Sequence, residues 1–222
     1  MKDRWPILSG IVCVIMSSFL ISGCAVNLYK QNPKSQEKIK TLQSKVDKLE
    51  ALRLKEEIKF EEVRKMLERK LKRQISDKDV TLSMRDEGLA IVLSDNILFD
   101  SGKAKLKKEA FPVLDNVAAI IKGEVPDKNI GVGGHTDNVP IQYSNWKSNW
   151  ELSAARATNV LYYLEEKGVS PRRLSATGYG EYRPVTLNKT SQERAGNRRV
   201  EIIILPEYGR KPVLKGEESA IK

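Results

Sequence analysis

The segment from Gly133 to Ala157, GGHTDNVPIQYSNWKSNWELSAARA, concentrates residue types that can do chemistry. It holds the only histidine of the chain, His135, with Asp137 two residues later and Arg156 nineteen residues after that. Three kinds of site use such residues: a metal site, an acid–base catalytic centre, and an ion-pairing pocket for a charged ligand. The rest of the sequence decides among them.

A metal site and a catalytic centre both lack partners in the sequence. The two cysteines, Cys13 and Cys24, lie near the N-terminus, and there is no second histidine. His135 therefore has none of the nitrogen or sulfur co-ligands that a zinc-type site uses. Asp100 and Asp137 could form an acid–base pair, but no nucleophile motif accompanies them. We expect no metal and no cofactor, and we favour an ion-pairing pocket.

The charge distribution argues against nucleic acid as the ligand. The chain has 222 residues and a formal net charge of +10, yet residues 80–222 hold 21 Lys and Arg against 18 Asp and Glu. Residues 30–79 carry more of the excess, with 16 against 10. Domains that bind nucleic acid concentrate positive charge on one surface, and the C-terminal part has no such concentration.

Strands and helices at regular intervals are predicted to position the charged residues. VTLSM and LAIVLS predict two strands with a turn at 86–88, and KNIGVGGHT predicts another; RLSATGYG and RRVEIIILP are predicted as the third and fourth central strands. Apolar residues at helical spacing predict helices from about 105 to 122 and from about 149 to 167. The order β-β-α-β-α-β, with RRVEIIILP as a further strand after it, predicts an α/β (α+β) sandwich, in which a mixed sheet carries two helices on one face.

Residues 34–79 predict a charged helical spacer of coiled-coil character. Neither glycine nor proline occurs from 34 to 75. A 3-4-3 spacing, typical of a coiled-coil seam, relates Ile39, Leu42, Val46 and Leu49. The seam slips and then resumes at Phe60, Val63 and Leu67. Two interpretations stay open: a solvated single helix, and a homo-oligomer formed through the seam.

The N-terminus predicts an export signal that ends in a lipidated cysteine. Lys2 and Arg4 precede an apolar run over residues 7–21, and small residues stand directly before Cys24. This order is typical of a secretory signal. LISGC resembles the bacterial lipobox, in which the cysteine becomes the acylated first residue of the mature protein.

We therefore predict a signal peptide over 1–23 and a lipidated linker over 24–33. An uncleaved membrane anchor is the alternative, because the apolar run nearly suffices to span a bilayer. Ala25 stands where an aspartate would favour the inner membrane, so we expect the periplasmic face of the outer membrane, with the inner membrane as alternative. The polar tail, 208–222, is predicted to be flexible.

Five ordered motifs between residues 80 and 207 resemble one known domain family. ILFDSGKAKLKKEA, GHTD, NWELSAARA, RLSATGYGEYRP and NKTSQERAGNRRVEI resemble the OmpA-like peptidoglycan-binding domain. Within this family, the sequence SNWELSAARA most resembles that of the domain in the flagellar stator protein MotB. The segment between Asp137 and the second helix, NVPIQYSNWKS, is longer than in many members of the family.

The resemblance implies a ligand, the meso-diaminopimelate of the peptidoglycan stem peptide. The free end of that side chain carries an ammonium and a carboxylate on one carbon. By the family pattern Asp137 takes the ammonium, and Arg156 takes the carboxylate with its planar guanidinium. Asn149 and Arg156 are seven residues apart, so they can face one groove. Four further positions line the family pocket: Asp100, Thr136, Asn149 and Leu152.

Two residues are assigned supporting roles, and two aromatic residues remain candidates for other contacts. His135 is expected to order the strand end by hydrogen bonding. Arg198 is expected to form a structural ion pair near the pocket. Trp146 and Trp150 could stack on sugar rings, although packing is the favoured role for Trp150.

The expected function is a non-enzymatic lipoprotein that tethers a bacterial membrane to peptidoglycan. The first alternative is a MotB-like stator or motility-associated subunit, but an ion-conducting stator needs an acidic residue in its membrane span, and residues 7–21 contain none. The second alternative is a peptidoglycan-modifying enzyme.

Overall fold

A computed structural model describes residues 33–142 and 145–206. The predicted signal peptide, Cys24 and the predicted tail lie outside the described residues. The described residues belong to two compact units, one ending at Leu54 and one beginning at Lys55. No described helix combines the length and the apolar character needed to cross a membrane.

The second unit holds every strand that the structure describes and most of the helices. The helices are α1 (Pro33–Lys70, which begins in the first unit), α2 (Lys72–Ser76), α3 (Asp95–Leu98), α4 (Phe111–Glu124), α5 (Asn149–Glu166) and α6 (Ser191–Asn197). The strands are β1 (Val80–Arg85), β2 (Gly88–Ser94), β3 (Ile130–His135), β4 (Leu174–Gly178) and β5 (Arg199–Ile204).

The five strands form one mixed sheet in the order β1-β2-β5-β3-β4. All neighbours are antiparallel except β3 and β4, which run parallel. The predicted mixed α/β sandwich is therefore confirmed. The prediction that RLSATGYG forms a central strand is wrong, because β4 pairs with β3 alone and is an edge strand. Its exposed middle residues agree with an edge position.

Alternation along the strands separates two faces of the sheet. On β5, Val200, Ile202 and Ile204 belong to the apolar core that the strands share with α4 and α5. Arg199 and Glu201 point to the opposite face, because side chains alternate along a strand. His135 is paired directly opposite Arg199 on the neighbouring strand. Directly paired residues lie on the same face of a sheet, so His135 also lies on that second face.

Helix α5 ends as its sequence predicts, whereas α4 begins later than predicted. Gly168 adopts a positive φ of 85°. Its N–H donates to the Glu165 carbonyl at 2.7 Å, and the Val169 N–H donates to the Leu164 carbonyl at 3.0 Å, which is a Schellman cap. Residues 105–110 instead form a β-bridge at Leu106 and a short 3₁₀ turn before α4.

Helix α1 changes character along its length. Phe60, Val63 and Leu67 are buried in the apolar core of the second unit, which begins at Lys55. They were predicted as the second block of a coiled-coil seam, but they pack on the domain instead. The first block of the seam stays exposed. The domain boundary at residue 80 remains a prediction.

Candidate functional site

A cavity of about 650 Å³ opens where β2 and β3 end and α5 begins. The charged side chains of Asp95, Asp137, Arg156 and Arg198 meet in it. Five of the six predicted ligand contacts line it: Thr136, Asp137, Asn149, Leu152 and Arg156. The remaining wall comes from the segment after α3 and from the loop after β3. Its size is within the range of small-molecule sites.

Asp137 lies two residues beyond the end of β3 and is 7% exposed. One carboxylate oxygen, Oδ2, accepts a hydrogen bond from Nη1 of Arg198 at 2.7 Å. The other, Oδ1, accepts the backbone N–H of Val139 at 3.2 Å. These two hydrogen bonds hold the carboxylate in the cavity wall in a fixed orientation.

Asn149, the first residue of α5, fixes the loop that carries Asp137. Its amide nitrogen lies within hydrogen-bond distance of the carbonyl of Asp137 (3.3 Å), the carbonyl of Val139 (3.1 Å) and Oε2 of Glu181 (3.0 Å). The amide has two hydrogens for these three acceptors. Asn149 is therefore a positioning residue for Asp137 rather than a free donor to a ligand.

Two glycines let α5 approach the sheet closely enough to present its charged face. A Cβ on Gly134 would lie 2.0 Å from the Ser153 carbonyl oxygen, and a Cβ on Gly178 would lie 2.6 Å from the Ala154 nitrogen. The hydroxyl of Ser153 accepts the Gly180 N–H at 2.9 Å, which ties the helix to the end of β4. The glycines therefore set the depth at which Arg156 enters the cavity wall.

Arg156 projects from the second turn of α5 and is 2% exposed. Its Nη1 lies 3.0 Å from Oδ1 of Asp95, and its Nε donates to the Lys103 carbonyl at 3.0 Å. The guanidinium carbon stands 5.0 Å from the ring centroid of Phe99, a cation–π distance. Burial lowers the pKa of the Arg156 guanidinium, and the nearby Asp95 carboxylate opposes that shift.

Asp95, which the sequence did not single out, is the second carboxylate of the cavity. It begins α3 directly after β2, and burial raises the pKa of its carboxyl while Arg156 and Arg198 act in the other direction. Arg198 stands between the two acids, with its Nε 3.9 Å from Oδ2 of Asp95. The expected ion pair of Arg198 is thus present, and it is made with Asp137 itself.

The four side chains form a cluster with equal numbers of acidic and basic groups, Asp95, Asp137, Arg156 and Arg198, which we call the charge tetrad. An ammonium can pair with the carboxylates of the tetrad, and a carboxylate can pair with its guanidinium groups. The tetrad therefore offers a partner to each charge of a zwitterion.

Residues 98–198 match the OmpA family. The chain carries an OmpA-family domain. Motility protein B of Bacillus subtilis (strain 168) is 42% identical over 148 residues, which cover 66% of this chain. The chain spans 56% of the length of that relative.

Two solved structures with similar folds support the assignment of the domain to this family. A MotB like protein from Desulfovibrio vulgaris superposes on the chain with a TM-score of 0.64 and 28% identity, covering 70% of this chain and 99% of that chain. The cell wall anchor of the T6SS from Pseudomonas aeruginosa superposes with a TM-score of 0.58 and 32% identity, covering 64% and 97%.

The wall of the OmpA-like cavity also carries a buried hydroxyl without a partner. Oγ1 of Thr136 is inaccessible to solvent and makes no hydrogen bond with any described residue. Buried hydroxyls are normally paired, so an unpaired one in a cavity wall is a candidate ligand contact. Arg194 and Lys103 line the same cavity and add two positive charges to it.

Asp100 stands apart from the other predicted contacts of the OmpA-like domain. Its side chain is more than half exposed and pairs with Lys103 at 3.1 Å, and it does not line the cavity. Direct ligand contact by Asp100 remains a prediction. Asp95, five residues earlier, is the carboxylate that the structure brings to the tetrad.

His135 lies on the second face of the OmpA-like sheet, and its expected hydrogen bond is absent. Neither ring nitrogen has a hydrogen-bond partner within 33–142 and 145–206. The ring stacks on Tyr179 at 4.9 Å, and Nε2 is 4.0 Å from the Glu201 carboxylate. Burial, with the nearby Arg199 charge, lowers the pKa of His135 to about 4. The ring therefore stays neutral at neutral pH and supports the strand end by packing.

Proposed function

We propose that the OmpA-like domain binds peptidoglycan by holding the diaminopimelate of the stem peptide in the charge tetrad. The carrying observation is the pairing of two buried acids with two arginines around a cavity. The whole protein, in this proposal, tethers a bacterial membrane to the cell wall and catalyses no reaction.

Asp137 and Arg156 each have capacity left for a ligand. A carboxylate has about four acceptor positions, and Asp137 uses one on each oxygen. A guanidinium has five N–H donors, and Arg156 directs two of its nitrogens to Asp95 and Lys103. The ammonium of the ligand would join Asp137, and its carboxylate would join Arg156.

Co-sedimentation with purified cell-wall sacculi tests this function. We expect the wild-type protein to sediment with sacculi and Asp137→Asn plus Arg156→Gln to remain in solution, with circular dichroism showing that the variant is folded. Asp77→Asn, which alters an exposed ion pair with Arg73 outside the cavity lining, is the matched control and should sediment like the wild type. Sedimentation of the double variant at the wild-type level would refute the site.

We further propose that Cys24 carries the lipid that attaches the protein to a membrane, at the periplasmic face of the outer membrane. The support is the sequence around Cys24, which lies outside the described residues. Mass spectrometry of the mature N-terminus should find an acylated cysteine and no residues from 1–23. Cys24→Ala protein that keeps its mature size and its membrane attachment would contradict the lipid anchor.

A second candidate function is a cell-wall anchor within a motility motor. The 42% identity with Motility protein B favours it. This candidate requires an uncleaved N-terminal segment in the inner membrane, whereas the lipoprotein requires cleavage before Cys24. An intact N-terminus, recovered with the inner membrane, would favour the motor component over the lipoprotein.

Self-association through the first part of α1 completes the proposed arrangement. Ile39, Leu42, Val46 and Leu49 are each at least half exposed in the chain as described. Burying such a stripe against a second copy is the usual arrangement of coiled coils. Sedimentation equilibrium should give a dimer for the wild type and a monomer for Leu42→Lys.

A further inference from the structure

A second concave surface adjoins the charge tetrad and contains aromatic rings. It is an open groove of about 1030 Å³ between the segment 102–106, the start of α4 and the outer face of α5. Phe111, Trp146, Tyr162 and Tyr163 line it, together with the carboxylate residues Glu165 and Glu166. We call it the aromatic groove.

The aromatic rings of the groove are held in fixed positions. Phe111 and Tyr163 stack at 5.2 Å with an interplanar angle of 11°. The Tyr163 hydroxyl donates to Asp115 at 2.9 Å. Tyr162, by contrast, is 55% exposed, so its ring is accessible to a ligand.

One short segment separates the groove from the tetrad. Gly102 and Lys103 line both cavities. The Gly102 carbonyl accepts the Trp146 indole N–H at 2.8 Å, and the adjacent Lys103 carbonyl accepts Nε of Arg156 at 3.0 Å. The carbonyls of two successive residues therefore hold Trp146 in the groove and Arg156 in the tetrad. The backbone between these carbonyls sets the distance between the two cavities.

We infer that the aromatic groove binds the glycan of peptidoglycan, as an N-acetylated pyranose laid against Trp146 and Tyr162. This inference rests on the proposed function. Aromatic faces carry negative charge and attract the slightly positive C–H groups of a sugar ring. Carboxylates are acceptors only, so Glu165 and Glu166 suit a ligand with many hydroxyl donors.

The covalent structure of peptidoglycan fits two adjoining cavities. The stem peptide joins the sugar two amino acids before diaminopimelate, so the extended link is at least roughly 7 Å long. A ligand held by the tetrad thus has its sugar within reach of a groove that shares the wall formed by Gly102 and Lys103. Linked contacts in two sites raise the affinity above that of either site alone.

Calorimetric titration of the full-length chain with two ligands tests the inference. The ligands are the diaminopimelate-containing tripeptide and the same tripeptide joined to its disaccharide. The wild type should bind the disaccharide form about fivefold to tenfold more tightly, which corresponds to one well-placed stacking contact. Tyr162→Ala should reduce this ratio toward one and leave the affinity for the free tripeptide unchanged. Tyr182→Ala, at an exposed tyrosine outside the groove, should keep the ratio.

The possible failures can be told apart. Equal wild-type affinity for the two ligands would overturn the glycan groove and leave the tetrad intact. A ratio that survives in both Tyr162→Ala and Trp146→Ala would also overturn it, because the sugar would then be bound elsewhere. If neither ligand binds, the proposed function fails and the groove fails with it.

Discussion

At the scale of single residues, the charge tetrad combines predicted and unpredicted members. Asp137 and Arg156 could be found because the motifs around them are specific. Asp95 could not, because an aspartate after a strand is common, and its role depends on Arg156 reaching it from a helix 61 positions later in the chain. No local sequence pattern predicts an ion pair between residues so far apart in the chain.

Asp95 is expected to stabilise the fold through Arg156. Asp95→Asn would leave a guanidinium that is 2% exposed without its ionic partner, so we expect a loss of about 3–5 kcal/mol in the free energy of unfolding. Asp100→Asn, at an exposed ion pair, should cost at most about 1 kcal/mol. Urea titration of both variants checks the difference, and equal losses would contradict a structural role for the Asp95–Arg156 pair.

His135 is expected to make stability depend on pH. Its pKa is about 4 in the folded protein and about 6.5 in the unfolded chain, so the unfolded state binds more protons between those values. The contribution of neutral His135 to the free energy of unfolding is present in full above about pH 6.5. It is lost as the pH falls toward 4, which lowers the free energy of unfolding by up to about 3 kcal/mol.

The matched variant is His135→Phe, which keeps a ring against Tyr179 and removes the titration. In urea titrations from pH 7 down to pH 4, the difference in unfolding free energy should shift in favour of His135→Phe by up to about 3 kcal/mol, because only the wild type loses this contribution. Because the chain has one histidine, the difference between the two curves isolates its titration. Parallel curves would mean that the ring is not buried as a neutral group.

At the scale of elements, periodicity predicted most strands and helices, whereas their partners had to be observed. The edge position of β4 depends on which strand pairs with the other side of β3, and no local sequence pattern predicts this pairing. The later start of α4 has a local cause, because residues 105–110 form a bridge and a 3₁₀ turn. Close contact between α5 and the sheet depends on glycines whose neighbours are remote in sequence.

Gly134 is expected to be intolerant of a side chain, unlike Gly131 in the same strand. The Cβ of Gly134→Ala would lie 2.0 Å from the Ser153 carbonyl, whereas that of Gly131→Ala would meet nothing nearer than 3.8 Å. We expect the former to lose about 1–3 kcal/mol or more and the latter to change little. Thermal unfolding measures this, and ligand titration should show weaker binding by Gly134→Ala because Arg156 moves with α5.

The two parts of α1 are expected to respond differently to the same substitution. Leu67→Ala opens a cavity in the core of the second unit and should cost about 2–5 kcal/mol. Leu49→Ala removes an exposed side chain and should change the stability of the domain by less than about 0.5 kcal/mol. Urea titration followed by tryptophan fluorescence checks both, and similar losses would contradict the boundary at Lys55.

At the scale of the whole molecule, the account joins an N-terminal anchor, an exposed helical segment and a peptidoglycan-binding domain. The fold class and the family were predictable because five motifs occur in order across the domain. The extent of the domain was not, because the apolar residues of α1 have the same spacing whether they pack on a second helix or on their own domain. Only the packed structure distinguishes these two cases.

In the proposed site, the tetrad recognises both charges at the end of one side chain. The most direct test compares two stem peptides, one with meso-diaminopimelate and one with lysine, which has the ammonium but lacks the neighbouring carboxylate. Calorimetric titration should show tighter binding of the diaminopimelate peptide by about tenfold or more, since a charged hydrogen-bonded contact is worth roughly 1.5–3 kcal/mol.

Arg156→Gln should remove that preference by weakening the diaminopimelate complex alone, whereas Asp77→Asn, at an exposed ion pair outside the cavity lining, should keep it. Equal affinity of the wild-type protein for the two peptides would contradict the account, because it would mean that Arg156 does not contact the carboxylate and that the tetrad is not a zwitterion site.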